Sequence, residues 1–577
     1  MPMEPRRIKS LIESLHGIKT EFSPASAENR YRALRALRTA RITSVATLIS
    51  YHDLLLFLSA YPDNPAILSA ARRELKAFHA RVRFVRSKTS EEQQETLLNS
   101  GLVDTEVSHL FSFDLTKMLL DWYPGRLELD WVETDEDESG AISGFLPLVV
   151  SFHENDTLDN ALELTTEEWI KRARGKKIRS DLGTLLKLLD RSGLPIAVQR
   201  YLYDNAGIVA RWEVERSQAS RTLAQAVHTK PFFQKEPILP RTPDLRKEIL
   251  APAPKLKLLS PQEGARYVRI INEALAVRYR ELYPITGANP SEVYCAEPGR
   301  GVRIFVFGAR PEFRLPLEAN FGAMLVRNDT IVGYGVGACL LNRVEIAINV
   351  FPAFRTGESS FIIEQFFKLF HHHFGSDVLL VRSRQVGDGD DEPIMSGAFW
   401  FYYKLGFRPV KREIRATAEK EAAYIASHPG YRSTVVKLRR LSKSDVFQKI
   451  SDRKATSYHE LSLVDLGNAV TDLVAREFGG DRTLAGRECL VRVKRWLGVG
   501  NMTGWSPFQK QAFAQMAPLL ATSPEIARWS SVERRSLAEM IRAKGGNQER
   551  QFVVKSLEHP KFGPLLYRIA KSAGQRG

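Results

Sequence analysis

The residues that suggest chemistry most clearly follow a short strand pattern in the middle of the chain. The sequence VEIAINV at 344–350 leads into FPAFRTGES at 351–359, and an amphipathic helical pattern then runs to Phe374. A strand that passes through a small-residue turn into a helix N-terminus can bind an anion, because backbone N–H groups and the positive end of the helix dipole face the ligand. The sequence therefore predicts a binding site for a pyrophosphate-bearing donor.

The strand before this turn has one polar face. Successive side chains of a strand point to opposite sides, which places Glu345, Ala347 and Asn349 together and the apolar residues on the other face. A face with a carboxylate, a small residue and an amide can line a cleft. We therefore take Asn349 as a candidate substrate ligand and Glu345 as a candidate for proton transfer.

A second pattern, AFWFYYKLGF at 398–407, is typical of a helix that ends in a Gly-Phe strand start. Together with VFPAFRTGES at 350–359 it resembles two signatures of the GNAT (N-acetyltransferase) superfamily. These are the loop Val-x-Pro-x-x-Arg-x-x-Gly-x-Gly/Ala, which holds the coenzyme A pyrophosphate, and the helix end Ala-x-x-x-Tyr-x-x-x-Gly-Phe. The resemblance covers residues 260–440, under a third of the chain, and implies a GNAT-like α+β or α/β mixed sheet with flanking helices.

The phosphate loop departs from the family pattern. If Arg355 takes the family's arginine position, Glu358 falls at the glycine position. If Gly357 takes the glycine position, Phe354 replaces the arginine and Ser359 is the final small residue. We favour the second alignment, because a carboxylate facing a pyrophosphate would repel it. The residues that the resemblance implies for donor binding are Val350, Phe354, Arg355, Thr356, Gly357, Glu358 and Ser359.

The resemblance implies direct transfer of an acyl group from acetyl-CoA or a longer acyl-CoA to an amine, without a metal. Tyr402 takes the position of the family's tyrosine, which protonates the departing thiolate, and a phenol is protonated at neutral pH. The amine must be neutral to attack, and Glu345 is the candidate base. The alternatives stay open: Tyr402 as a core aromatic residue, and Glu345 as an ordinary exposed carboxylate. The acceptor amine is unidentified, and a protein is one candidate.

The rest of the chain is predicted to position and flank this core. We expect tight turns at Asn328-Asp329 and at Asn342-Arg343, between β-rich runs. Four segments are predicted, in chain order: a mainly helical domain of unknown role at 1–230, a Pro-rich linker at 231–259, the GNAT-like domain at 260–440, and a C-terminal helical bundle at 441–577.

Composition limits the classes of protein to consider. The chain has 577 residues, three dispersed cysteines and a formal net charge of +16. No run reaches the ~18 apolar residues of a membrane span, so we expect a cytoplasmic protein. A metal site at His371–His373 is disfavoured, because consecutive helical residues point about 100° apart. One rival function is a degenerate GNAT-fold ligand sensor or scaffold that acts through protein contacts. Nucleic-acid binding is ranked last, because only the charge suggests it and no aromatic-basic motif of a known nucleic-acid module is present.

Overall fold

The computed structural model describes residues 3–135, 140–154, 164–226, 230–451 and 461–574. The chain forms two compact units. One unit comprises Met1–Pro237, Arg269–Thr286 and Arg327–Ile331, and the other comprises Ile238–Val268, Gly287–Val326 and Val332–Gly577.

The first unit is mainly helical and also contains a small antiparallel sheet. Its strands are β1 (Glu106–His109), β2 (Leu127–Leu129) and β3 (Ala210–Glu213), in the order β1-β3-β2. Trp212 of β3 is fully buried in an apolar core that the surrounding helices complete. The helices in chain order are α1 (Pro5–Ile18), α2 (Pro24–Leu37), α3 (Val45–Ala60), α4 (Pro65–Lys76), α5 (Phe78–Arg86), α6 (Glu91–Leu98), α7 (Phe113–Trp122), α8 (Trp131–Thr134), α9 (Ala141–Phe145), α10 (Thr166–Ala173), α11 (Asp181–Arg191) and α12 (Ile196–Asn205).

The second unit is built on a nine-stranded mixed sheet. Its order is β11-β12-β10-β9-β8-β7-β6-β5-β4, and strands β9 and β10 run parallel. The predicted class, α/β with a large mixed sheet and flanking helices, is confirmed at this level. The strands are β4 (Lys257–Leu258), β5 (Ala288–Gly299), β6 (Val302–Ala309), β7 (Ala319–Arg327), β8 (Thr330–Leu340), β9 (Arg343–Val350), β10 (Val378–Val381), β11 (Arg408–Pro409) and β12 (Val446–Lys449).

Most of the remaining helices belong to the second unit, whereas Tyr283–Thr286 and the part of Pro261–Ala276 from Arg269 onward belong to the first. None of the helices in the described ranges is both long and apolar enough to span a bilayer. The remaining helices are α13 (Leu245–Leu250), α14 (Pro261–Ala276), α15 (Tyr283–Thr286), α16 (Ser359–Phe374), α17 (Asp391–Ser396), α18 (Ala398–Lys404), α19 (Arg412–Ser427), α20 (Val435–Leu441), α21 (Leu463–Phe478), α22 (Arg482–Leu497), α23 (Pro507–Ala521), α24 (Ser531–Lys544), α25 (Glu549–Glu558) and α26 (Phe562–Gly574).

Glycines in β8 allow helix α16 to pack closely against the sheet. A Cβ atom added at Gly337 would lie 2.4 Å from the ring of Phe370, and one added at Gly335 would lie 3.1 Å from the ring of Phe366. Both phenylalanines are fully buried. The Gly-rich run in β8 thus serves helix packing, because glycine allows a close approach to the strand.

The three consecutive histidines at the end of α16 bind three different backbone carbonyls. His371 contacts the carbonyl of Ser376 at 3.0 Å, His372 that of Ile249 at 2.9 Å, and His373 that of Pro254 at 2.9 Å. Two of these carbonyls belong to the Pro-rich segment 231–259, for which the sequence predicts a linker. That segment instead contains α13 and β4, because its prolines flank these short elements and do not interrupt them.

The two predicted turns have different outcomes. The turn at Asn328-Asp329 is confirmed, since both residues have positive φ, 45° and 68°. The turn predicted at Asn342-Arg343 is displaced by one residue: Leu341 has φ 53° and Arg343 already begins β9. Asn342 accepts backbone hydrogen bonds from Asp377 and Val378 through its carbonyl, which fixes the start of β9 beside β10.

Candidate functional site

Strand β9 has the two faces that its sequence predicts. Val344 and Ile346 are buried on the apolar face. Glu345, Ala347 and Asn349 are half-buried on the other face. The polar face is therefore the one that can meet a ligand.

One edge of β9 opens where β10 ends. The parallel pairing joins Arg343 to Val378 and stops at Glu345 and Leu380, whereas the antiparallel pairing of β9 with β8 continues to Val350. Among the described residues, no strand pairs with the last five residues of β9 on the side of β10. Beyond Glu345 the backbone of β9 therefore has no strand partner on this side, and β9 continues to the turn before α16; we call this unpaired stretch the opening between β9 and β10.

The backbone of alternate β9 residues points into this opening. The N–H of Phe351 donates to the carbonyl of Val332, so Phe351 and every second residue before it turn toward β8. Ile348 and Val350 therefore turn their N–H and C=O groups to the other side, beyond the end of β10. The guanidinium of Arg355 confirms this direction for Val350, since its Nε donates to the Val350 carbonyl at 3.1 Å.

The turn after β9 leads directly to the N-terminus of α16. The N–H of Gly357 donates to the carbonyl of Phe354 at 2.9 Å, and the hydroxyl of Ser359 donates to the carbonyl of Arg355 at 3.3 Å. No side chain caps the N-terminus of this 16-residue helix. The first-turn N–H groups and the helix dipole therefore remain available to an anion.

The carboxylate of Glu358 points into the protein. Its side chain is fully buried and accepts two hydrogen bonds from Arg300, at 3.0 Å from Nε and 2.5 Å from Nη2, and one from the N–H of Leu239 at 3.2 Å. The carboxylate is thus neutralised, so it does not face a bound anion. Of Glu358, only the backbone can contribute to the predicted donor site.

The other predicted donor residues take different positions. The side chain of Phe354 is buried in the core, and Thr356 is exposed. Arg355 is partly exposed and reaches Asn349, with 3.4 Å between Nη2 and Oδ1. Asn349 in turn donates to the hydroxyl of Tyr334 at 3.3 Å. The structure therefore brings Arg355 and Asn349 together beside the opening, with Tyr334 as a neighbour that the sequence did not suggest.

Glu345 is held in a salt bridge. Its carboxylate lies 2.6 Å from Nε of Arg382, and Nη1 of the same arginine lies 3.0 Å from Asp445. Burial alone would lower the pKa of Arg382, but the carboxylates of Glu345 and Asp445 raise it overall. Arg382 follows β10 directly, so this salt bridge stands at the point where β9 and β10 diverge.

Tyr402 is buried on helix α18. Its ring packs edge-on against Phe407 at 5.3 Å, just after Gly406, which has φ 100°. Burial raises the pKa of the Tyr402 phenol above its ordinary value. Within the described residues its hydroxyl makes no hydrogen bond. The group is therefore protonated at neutral pH and has an unused donor.

Sequence reasoning missed three charged residues that shape this site. Arg300, Arg382 and Asp445 are distant in sequence from the residues they bind, and no local pattern marks them. The sequence does contain a weak signal for Arg382. It directly follows an apolar strand, and a polar residue at that position lies at the C-terminal edge of the sheet, where it can reach the site.

Tyr402 makes no hydrogen bond to Glu345 or Asn349 within the described residues.

Comparison of the chain with protein-family models, with curated proteins and with solved structures found no match.

Proposed function

We propose that the protein is an acyl-CoA-dependent N-acyltransferase of the GNAT type. The observation that supports this most is the opening between β9 and β10, which runs into the uncapped N-terminus of α16. A linear ligand that carries amides at one end and a pyrophosphate at the other fits such an arrangement. Coenzyme A thioesters have this chemistry.

The donor would use two kinds of backbone group. Its amides would pair with the Ile348 and Val350 backbone as an added strand does, because main-chain hydrogen bonds give affinity without requiring a particular side chain. Its pyrophosphate would accept hydrogen bonds from the first turn of α16, beside Ser359. The buried ion pair of Glu358 with Arg300 supports this, since it removes the repulsion that the sequence suggested.

The proposed transfer is direct. The neutral amine nitrogen attacks the thioester carbonyl carbon, the C–S bond breaks, and the sulfur leaves as a thiolate. The Tyr402 phenol donates its proton to that thiolate, and the amine nitrogen loses a proton to a base. Glu345 remains the candidate base. Its carboxylate would have to release Arg382 before it could accept a proton from the amine.

A second candidate function is a ligand sensor or scaffold with the same fold. The salt bridge from Glu345 to Arg382 and on to Asp445 favours it, because Arg382 occupies the carboxylate that would have to accept the amine proton. This candidate acts through protein contacts and carries out no acyl transfer.

The test combines binding and turnover on the full chain. We expect calorimetric titration to show saturable binding of acetyl-CoA or of a long-chain acyl-CoA, and weaker binding by a Gly357→Glu variant. We also expect release of free coenzyme A thiol with amine acceptors, including basic peptides. Thiol release would exclude the sensor or scaffold, and no binding of either thioester would refute the acyltransferase and favour the sensor or scaffold.

A further inference from the structure

Positive charge is concentrated in helices α2 to α5 of the first unit. Between Pro24 and Arg86 there are eleven arginines and lysines and four acidic residues, a net charge of +7 out of the +16 of the whole chain. The basic residues lie on α2, α4 and α5 and in the segment between α2 and α3. The fold decides which of them face solvent together.

Ion pairs use about half of these basic residues. Arg30 binds Asp63 in the interior, and Arg81 binds Glu74 at 2.8 Å. Arg32, Arg72 and Arg83 also have carboxylate partners. Six basic residues have no carboxylate within ion-pair distance in the part of the chain that the structure describes, and all six are exposed: Arg35, Arg38, Arg41, Arg73, Lys76 and Arg86.

Three of the unpaired arginines line one open groove. The groove has a volume of about 430 Å³ and is lined by Arg38 and Arg41 after α2 and by Arg73 on α4. Its remaining lining is largely apolar and includes Ile42 and the half-buried ring of Phe84. The guanidinium of Arg41 lies 5.9 Å from the centre of that ring. We call this feature the arginine groove.

Arg81 makes the wall of the arginine groove suitable for an anion. Its guanidinium donates to the carbonyls of Leu37, Arg38 and Ala40, at 2.8 to 2.9 Å, and to the carboxylate of Glu74. These carbonyl and carboxylate oxygens would otherwise repel an anion at the end of α2. Because Arg81 satisfies them, the charge that remains facing the groove is that of Arg38, Arg41 and Arg73.

We propose that the arginine groove binds the phosphodiester backbone of a nucleic acid. Guanidinium groups bind phosphate through paired, charge-assisted hydrogen bonds. The apolar lining and the ring of Phe84 suit a sugar or base next to each phosphate. Arg35 and Lys76 lie one helical turn from Arg38 and Arg73, respectively, and add positive charge beside the groove, which favours a chain of phosphates over a single small anion. This function is independent of the proposed acyl transfer.

The experiment measures fluorescence anisotropy of a labelled 30-nucleotide single strand and of the matching duplex with the full chain. The variant is Arg38→Gln/Arg41→Gln/Arg73→Gln. A control variant, Arg487→Gln/Arg495→Gln/Arg535→Gln, removes the same charge from exposed arginines on α22 and α24. We expect the groove variant to bind at least about 10-fold more weakly at 50 mM salt. The slope of the logarithm of the binding constant against the logarithm of the salt concentration should become less steep, by about 2 for the single strand and by about 3 for the duplex.

The control variant should bind within about twofold of the wild type. All six substituted side chains are exposed, so both variants should keep the wild-type melting temperature and acyl-CoA binding. An equal loss in both variants would show a general charge effect and overturn the proposal, and so would failure of the wild-type chain to bind either oligonucleotide at 50 mM salt. The relative affinity for strand and duplex identifies which form the groove takes.

Discussion

A single charge at the start of α16 tests the proposed donor site. Ser359 is the first residue of this helix and is half-buried, and its hydroxyl makes only a 3.3 Å contact with the Arg355 carbonyl. Ser359→Asp places a carboxylate where the pyrophosphate is expected. The same substitution favours the fold, because an acidic residue in the first turn interacts with the helix dipole and contributes about 0.3–1 kcal/mol.

The expected effect follows from Coulomb repulsion. Two unit charges about 4 Å apart repel by about 1 kcal/mol in bulk water and by about 4 kcal/mol at the effective dielectric constant of a protein surface. A pyrophosphate carries two such charges and the site is open to solvent. We therefore expect acyl-CoA binding to weaken by about 2 kcal/mol or more, which is about 30-fold in Kd.

Calorimetric titration with acetyl-CoA measures this change. The matched control is Ser359→Asn, which has nearly the same size as aspartate and no charge, and which should bind within a few-fold of the wild type. Raising the salt concentration should reduce the difference in acetyl-CoA affinity between the Asp and Asn variants, because salt screens the added charge. Equal affinities for the Asp and Asn variants, with both folded, would refute a phosphate site at this helix.

Three further predictions concern single side chains. Tyr402→Phe should lower kcat by about 10²–10⁴-fold, as expected for loss of a general acid, and should leave the melting temperature nearly unchanged because the hydroxyl has no hydrogen-bond partner among the described residues. Glu358→Ala should lower the free energy of unfolding by about 3 kcal/mol in urea titrations, because it leaves Arg300 without its buried partner. The third concerns His52, whose pKa burial holds below its usual value of 6.5, so the unfolded chain takes up a proton that the folded chain refuses. Stability should therefore fall as the pH drops below 6.5, and His52→Gln should reduce that loss between pH 7.5 and 5.5.

Each of these predictions has a control on the same chain. Tyr403→Phe changes the neighbouring ring, and an equal loss of turnover there would remove the special role of Tyr402. Glu419→Ala removes an exposed carboxylate and should change stability by less than about 0.5 kcal/mol. For the histidine, His428→Gln at an exposed position should leave the pH dependence as in the wild type. If His52→Gln did the same, burial of His52 would not govern acid stability.

Local patterns predicted the elements around the site well. The sequence Asn328-Asp329 has the side chains that tolerate positive φ, and both residues adopt it. The period-two pattern of β9, the helix from Ser359 and its glycine stop at Gly375 also follow from neighbouring residues. These features depend on contacts between residues that are a few positions apart, so a short stretch of the sequence is enough to predict them.

Contacts between distant residues could not be predicted in this way. Glu358 seemed a hazard for an anion, but Arg300, 58 residues earlier, turns its carboxylate inward. Two arginines of the groove follow α2 and the third lies on α4, more than 30 residues later, so they look dispersed in sequence. The three strands of the small sheet have only three or four residues each, too few to show a period.

The two outer strands of the nine-stranded sheet bear on how this protein avoids aggregation. Each has two residues: Lys257 and Leu258 at one edge, and Arg408 and Pro409 at the other. A short edge with a basic residue gives little template for another chain, and proline has no N–H to offer a further strand. Sheet-to-sheet polymerisation is therefore discouraged at both ends. Strand β9 also has unpaired backbone beyond Glu345, but this stretch lies inside the sheet and not at either outer edge.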